Sequence, residues 1–281
     1  MPIYEQTYRR YEGREPLRKV RFWPITREAL RLILVRRWFI GLMVLSWLPF
    51  LVRVIQIYIV TRFPEAGRLL PLDGRLFGDY LGQQLLPCLI ITIFAGAGLV
   101  ANDLRTGAIL VYLSRPLTRR DYVAGKLLVL VLLILSVTLV PALLLYLIAL
   151  SLAPDQFGKW ELAWIAPAIV VYCAVIALAL SLAALAVSSL SKSARVAGLG
   201  FFGLLMGLQI VQTILREAFD RSEGALLSIM TSVQTVGRAL FGLPPRGFEL
   251  PWPWAAASLA VIALGCLAIL RARVRAVEIV R

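Results

Sequence analysis

The stretch Asn102–Lys126, NDLRTGAILVYLSRPLTRRDYVAGK, sets two acids, several hydroxyls and five basic residues within 25 positions. Its Gly125-Lys126 pair invites comparison with a phosphate-cradling loop. Such a loop needs glycine where this chain has Arg120, and Ser or Thr after the lysine where this chain has Leu127. The chain therefore cannot hydrolyse ATP through this segment. Histidine is absent altogether, which removes a Ser–His dyad, an HExxH zinc site and a haem ligand. No Gly-x-Gly-Asp aspartyl pair occurs within an apolar run. Cys88, Cys173 and Cys266 all lie in apolar runs, where a thiol is a small hydrophobe and not part of a disulfide framework. What remains is charge pairing and recognition, centred on Asp103 and the arginines that follow it.

The elements that must hold these residues are membrane spans. Of the 281 residues, 60% are hydrophobic and 16% charged, and the mean hydropathy is +0.81. Soluble domains run near 45–50% apolar and about 25% charged. The excess is concentrated in stretches near the ~20 residues that cross a ~30 Å hydrocarbon core. Six spans are expected, over 39–60, 84–101, 127–150, 164–190, 194–215 and 252–270. Trp38, Trp164, Trp252 and Trp254 fall at span ends, where amphipathic rings favour the interface.

Basic residues orient the spans. Segments 1–37, 102–126, 189–196 and 271–281 hold 21 of the 30 Lys and Arg; the intervening loops hold 8, and Arg53 lies inside the first span. Cationic loops mark the cytoplasmic side, so both termini are expected inside. The net charge of +14 borders apolar spans and forms no separate basic domain, which argues against nucleic acid. The Arg-rich start is not a cleavable signal peptide. Arginine outnumbers lysine 26 to 4, the composition of a GC-rich prokaryotic coding sequence, so a prokaryotic cytoplasmic (inner) membrane is expected.

The fold class expected is all-α, with a cytoplasmic tail over 1–37 and a six-span domain over 38–281. Residues 22–37 read as an amphipathic interfacial helix. Leu30, Ile33 and Leu34 lie on one face, Arg27, Glu28 and Arg31 on another, and Thr26 is its cap. A solvated basic tail is the alternative. The external loop, 216–251, alternates apolar and polar groups at helical spacing and predicts short helices dipping into the outer leaflet. In 102–116, Asn102 is expected to cap a short helix carrying Asp103 in its first turn, ending before Pro116. Thr118 then caps the helix rising into span three.

Spans two to six are read as free of ionisable groups in their interiors, which argues against ion coupling. Arg53 is expected to snorkel outward. Thr92, Ser136, Thr138, Tyr146, Tyr172, Ser181, Gln209 and Gln212 are the mild polar groups left inside, bonding within helices or lining a weakly polar cavity. Gly203 and Gly207 form a GxxxG pair read as helix packing.

The residues Asp103, Gly107, Ser114, Arg115, Pro116, Arg119, Tyr122, Gly125 and Lys126, placed after the second of six spans, resemble the type-2 ABC transporter permease family. Many members carry glutamate near the start of this segment; here Asn102 and Asp103 keep the acid on a shorter side chain. The resemblance implies an N-terminal interfacial helix, a cytoplasmic coupling helix between spans two and three, and re-entrant helices before span six. It implies a permease subunit of an ATP-driven exporter with an amphipathic or lipid-like substrate. A separate ABC ATP-binding subunit would carry the ATP and Mg, this chain binding no cofactor and no metal. A second permease copy or paralogue would complete a 2+2 assembly in membrane lipid.

The partner-binding residues implied are Asp103, Arg105, Thr106, Gly107, Ile109, Leu110, Leu113, Ser114, Arg115, Pro116 and Arg119. Arg119, Arg120 and Lys126 are read equally as topology signals or as cations meeting acidic groups or headgroups. The competing reading is a membrane anchor that recruits a cytoplasmic partner through 102–126 without transport.

Overall fold

In the computed structural model, residues 22–63, 73–108, 118–152, 163–219, 222–244 and 251–273 are described. They form helices α1 (Trp23–Leu34), α2 (Arg37–Leu45), α3 (Leu48–Arg62), α4 (Gly74–Gln83), α5 (Leu85–Thr106), α6 (Arg119–Leu152), α7 (Ile165–Leu190), α8 (Ala194–Phe219), α9 (Ile229–Leu240) and α10 (Trp252–Arg273). A 3₁₀ turn, Ser222–Leu227, precedes α9. No strand occurs among the described residues. Among the described residues, six helical segments are long and apolar enough to cross a membrane: α2 with α3, α4 with α5, then α6, α7, α8 and α10.

The second and third spans run well past their expected ends. Together α4 and α5 cover 33 residues, and α6 covers 34, about 50 Å at 1.5 Å per residue. The expected spans, 84–101 and 127–150, are without charge, and Asp79, Asp103 and Lys126 sit in the parts of these helices beyond them. Asn102 caps nothing: it lies in the last turn of α5, which ends at Gly107 with φ +68°. Glycine adopts that left-handed turn without a Cβ penalty, which makes it a natural helix stop. The expected cap at Thr118 does form. Its hydroxyl accepts from Asp121 N at 3.2 Å, and Asp121 Oδ2 accepts from Thr118 N at 3.0 Å, a reciprocal box.

The first span is broken at Ser46–Trp47, where Pro49 lacks the N–H that would continue the ladder. The chain mends the break from outside. Gln84, fully buried between α4 and α5, donates from Nε2 to Ser46 O at 2.9 Å. The spans divide into a core and a rim. In an apolar 18-residue stretch of the second and of the fourth, 67% of the residues are buried, against 11% in the first and sixth. Small residues bring the core together, so that a Cβ on Gly96 would meet Ala184 at 3.1 Å. Gly203 and Gly207 do not pack this way, since a Cβ at either meets nothing within 4 Å of this chain.

Candidate functional site

Two helix ends flank the segment 107–118, and a buried ion pair joins them. Asp103 in the last turn of α5 accepts at Oδ2 from Lys126 Nζ at 2.8 Å and from the Tyr122 hydroxyl at 2.8 Å. The Lys126 and Asp103 side chains are 7% and 16% exposed, so neither charge faces bulk solvent. Tyr122 is buried, and its ring centroid lies 5.7 Å from the ammonium. The i, i+4 spacing of Tyr122 and Lys126 puts both on one face of α6, opposite a single carboxylate. The ammonium and the phenol converge on one carboxylate oxygen, so removing Asp103 takes an acceptor from both donors, while removing Lys126 leaves the carboxylate charge without a counter-ion.

Two further contacts widen this joint. Thr26 does not cap α1 as expected. It is buried inside that helix, and its hydroxyl donates to Gly125 O of α6 at 3.0 Å. Gly125 is required by close approach, because a Cβ there would meet Phe22 O and Ile25 at 3.2 Å. On the other side, Ser188 of α7 sits against the α5 ladder. Its hydroxyl donates to Ala97 O at 2.8 Å and accepts from Ala101 N at 3.1 Å. The last two turns of α5 are therefore held by α6 and α7 together, and α1 rides on α6.

Of the expected partner-binding residues, Asp103 points inward at Lys126. Arg105, Thr106 and Arg119 are exposed, and Gly107 ends α5. Ile109, Leu110, Leu113, Ser114, Arg115 and Pro116 lie outside the described residues. Lys126 is not the outward cation expected from its sequence setting. Arg120 is exposed. Beside the joint lies a cavity of about 820 Å³ between α1, α5 and the start of α8. Leu32, Phe94, Leu199 and Phe202 give it apolar walls, while Arg36, Arg195, Asp103 and Lys126 contribute charge.

The sequence model of the family described as "ABC-2 family transporter protein" matches residues 23–225, well over half of the chain. The chain belongs to that family. It is a multi-pass membrane protein and the permease subunit of an ABC transporter, a kind of subunit that works with an ATP-binding partner. No curated protein matches it significantly. The match begins at the first residue of α1 and takes in the Asp103–Lys126 joint of the permease.

The polar groups of the spans are mostly spent on backbone. Thr92 donates to Cys88 O, Ser136 to Leu133 O and Thr138 to Ile134 O. Gln209 and Gln212 accept from Ser228 and Thr231 at 2.7 and 2.6 Å, tying α8 to α9. Arg53, expected to snorkel outward, extends toward Gln56, one turn nearer the end of α3. It is half-buried, bonds Gln56 at 2.8 Å and lines a cavity shared with Asp79 and Arg238. Sequence reasoning missed this grouping, because its members come from α3, α4 and α9, far apart in the chain.

Proposed function

We propose that this permease exports an amphipathic or lipid-like molecule, and that its ATP-binding partner drives it from the Lys126 end. The observation that carries this reading is the contact of Asp103 with Lys126 and Tyr122. It ties the helix ends on both sides of 107–118, so force applied to that segment moves α5 and α6 as one body. Ile109, Leu110 and Leu113 would seat in a groove of the ATP-binding subunit, and Arg115 and Arg119 would meet its acidic groups. ATP and Mg stay on that subunit.

The bias of Lys and Arg toward the Lys126 end supports a cytoplasmic placement for it and for both termini, in a prokaryotic inner membrane. In that orientation α1 lies in the inner headgroup layer, and the helices of 222–240 dip into the outer leaflet. The large apolar cavity beside α1, with two arginines in its lining, supports an amphipathic cargo. The rim position of α3 and α8, with open space over Gly203 and Gly207, supports a second permease copy or paralogue there in a 2+2 assembly.

Co-purification of the ATP-binding subunit tests the docking. Leu110→Asp or Leu113→Asp places a carboxylate in an apolar contact and should weaken the complex by about a hundredfold or more, roughly 3 kcal/mol. If both variants insert, fold and keep the ATP-binding subunit as well as the parent does, 102–116 is not the docking element.

A further inference from the structure

Arg36 and Arg195 stand where the first and fifth spans begin, Arg36 immediately before α2 and Arg195 in the first turn of α8. The third span begins near Lys126, so alternation through the bundle puts both arginines at the Lys126 end. Both line the cavity of about 820 Å³, and both are exposed. Asp103 and Lys126 line it too, but they stand 2.8 Å apart and offset each other. Among the described residues no salt bridge reaches Arg36 or Arg195. Ala194 opens α8 in the same wall, and the N–H groups of that first turn, which have no partner within the helix, add to the attraction for an anion. The remaining wall is mainly apolar. On α5 it runs from Asn102 back to Ile90, about 18 Å at 1.5 Å per residue. Half of a ~30 Å hydrocarbon core is about 15 Å. The cavity is therefore cationic at one end and apolar through the depth of one leaflet.

We propose that this cavity seats one anionic phospholipid from the leaflet at the Lys126 end. The proposal rests on the amphipathic-cargo reading of the same cavity and narrows it to one chemical class. The phosphate lies with Arg36 and Arg195, whose planar guanidinium forks match its oxygens. An acyl chain runs along α5 toward Ile90, against Leu199 and Phe202 of α8, which are 73% and 46% exposed. A soluble anion would leave the apolar length of the cavity unused. A neutral amphiphile would leave two guanidinium groups unmet. The volume falls within the roughly 300–1,000 Å³ of pockets that take one small ligand, which suits a single lipid.

The test titrates full-length permease in a non-ionic detergent with short-chain phosphatidylglycerol, reading thermal unfolding and calorimetric stoichiometry. A ligand that binds only the folded state raises the unfolding temperature with its concentration. One equivalent of phosphatidylglycerol is expected. Short-chain phosphatidylcholine, whose headgroup has no net charge, should bind at least tenfold more weakly. Arg36→Gln with Arg195→Gln should weaken phosphatidylglycerol tenfold or more and leave phosphatidylcholine unchanged. Both side chains are exposed, so folding should tolerate the change, and Arg195→Gln alone decides the matter should the pair not fold. Arg27→Gln with Arg31→Gln removes two exposed cations of α1 that stand outside this lining, and should titrate as the parent does. Equal losses in the two double variants would overturn the proposal by reducing the effect to surface charge. A one-equivalent response to inorganic phosphate with none to the lipid would overturn it in favour of a soluble anion. Equal affinity of the parent for both lipids would overturn it and leave the amphipathic-cargo reading standing, whereas binding of neither lipid would end both.

Discussion

The two ends of this permease handle charge differently. At the Lys126 end one cation meets one anion at 2.8 Å, a phenol completes the set, and the pair lies at the wall of a cavity of about 820 Å³. At the Arg238 end, Arg238 stands 3.6 Å from Asp79, and a cavity that Arg53 also lines lies beside them. Both ends sit on the same long helical rod of α4 and α5. The short pairing suits a joint that passes force without slipping. The contact at the Arg238 end is longer, and it lies beside a cavity of about 390 Å³.

Four measurements bear on that contrast. The largest effect is all-or-none. In a cysteine-free background, single cysteines at Thr118 and Ser191 should resist an impermeant thiol reagent in intact cells, while one at Gly158 reacts. Labelling at Thr118 from outside would reverse the assignment of the two ends. Next, Lys126→Ala strands the Asp103 carboxylate and should cost about 3–5 kcal/mol in detergent unfolding. Asp103→Leu with Lys126→Met should recover most of that loss, since an apolar pair of similar size replaces the ions. A full loss in the double variant would show that the ion pair itself stabilises the joint.

A smaller effect is expected where the first span is mended. Gln84→Leu removes the donor to Ser46 O and should cost about 1–3 kcal/mol, read from the same unfolding curves. Last, Arg120→Ala should change stability by no more than about 0.5 kcal/mol, because its side chain is exposed. A loss as large as that of Lys126→Ala would mean that the joint extends to the exposed face of α6.

The spans were legible because a run of apolar residues near membrane length is rarely compatible with anything but a crossing helix. Span four was expected over 164–190 and forms over Ile165–Leu190. What misled at Asn102 and Asp103 was a true cap preference competing with an unbroken helix. Asn and Asp favour a helix start, yet α5 already had an established hydrogen-bond ladder, and Gly107 was the stronger stop signal. The capping box at Thr118 was readable because it is local, needing only residues three apart. The Lys126 pairing and the Arg53 grouping were not, because each joins residues whose proximity is decided by tertiary packing. Thr26 failed as a cap for the same reason: its hydroxyl found Gly125 O, 99 residues away.

Helix α9 depends on a neighbour that is made after it. It rests on α4, α7, α8 and α10. Gly237 lies so close under the Tyr172 ring that a methyl group there would run into it. Ser232 meets the Ser258 hydroxyl of α10 at 3.0 Å, and Val236 packs with Ala255. Synthesis delivers α10 after every other span, so α9 waits for the helix that holds its outer side. Residues 252–273 contribute nothing to the lining of the Arg53 cavity. A nascent chain that stops short of them carries every side chain of that cavity while still lacking the support that fixes its wall.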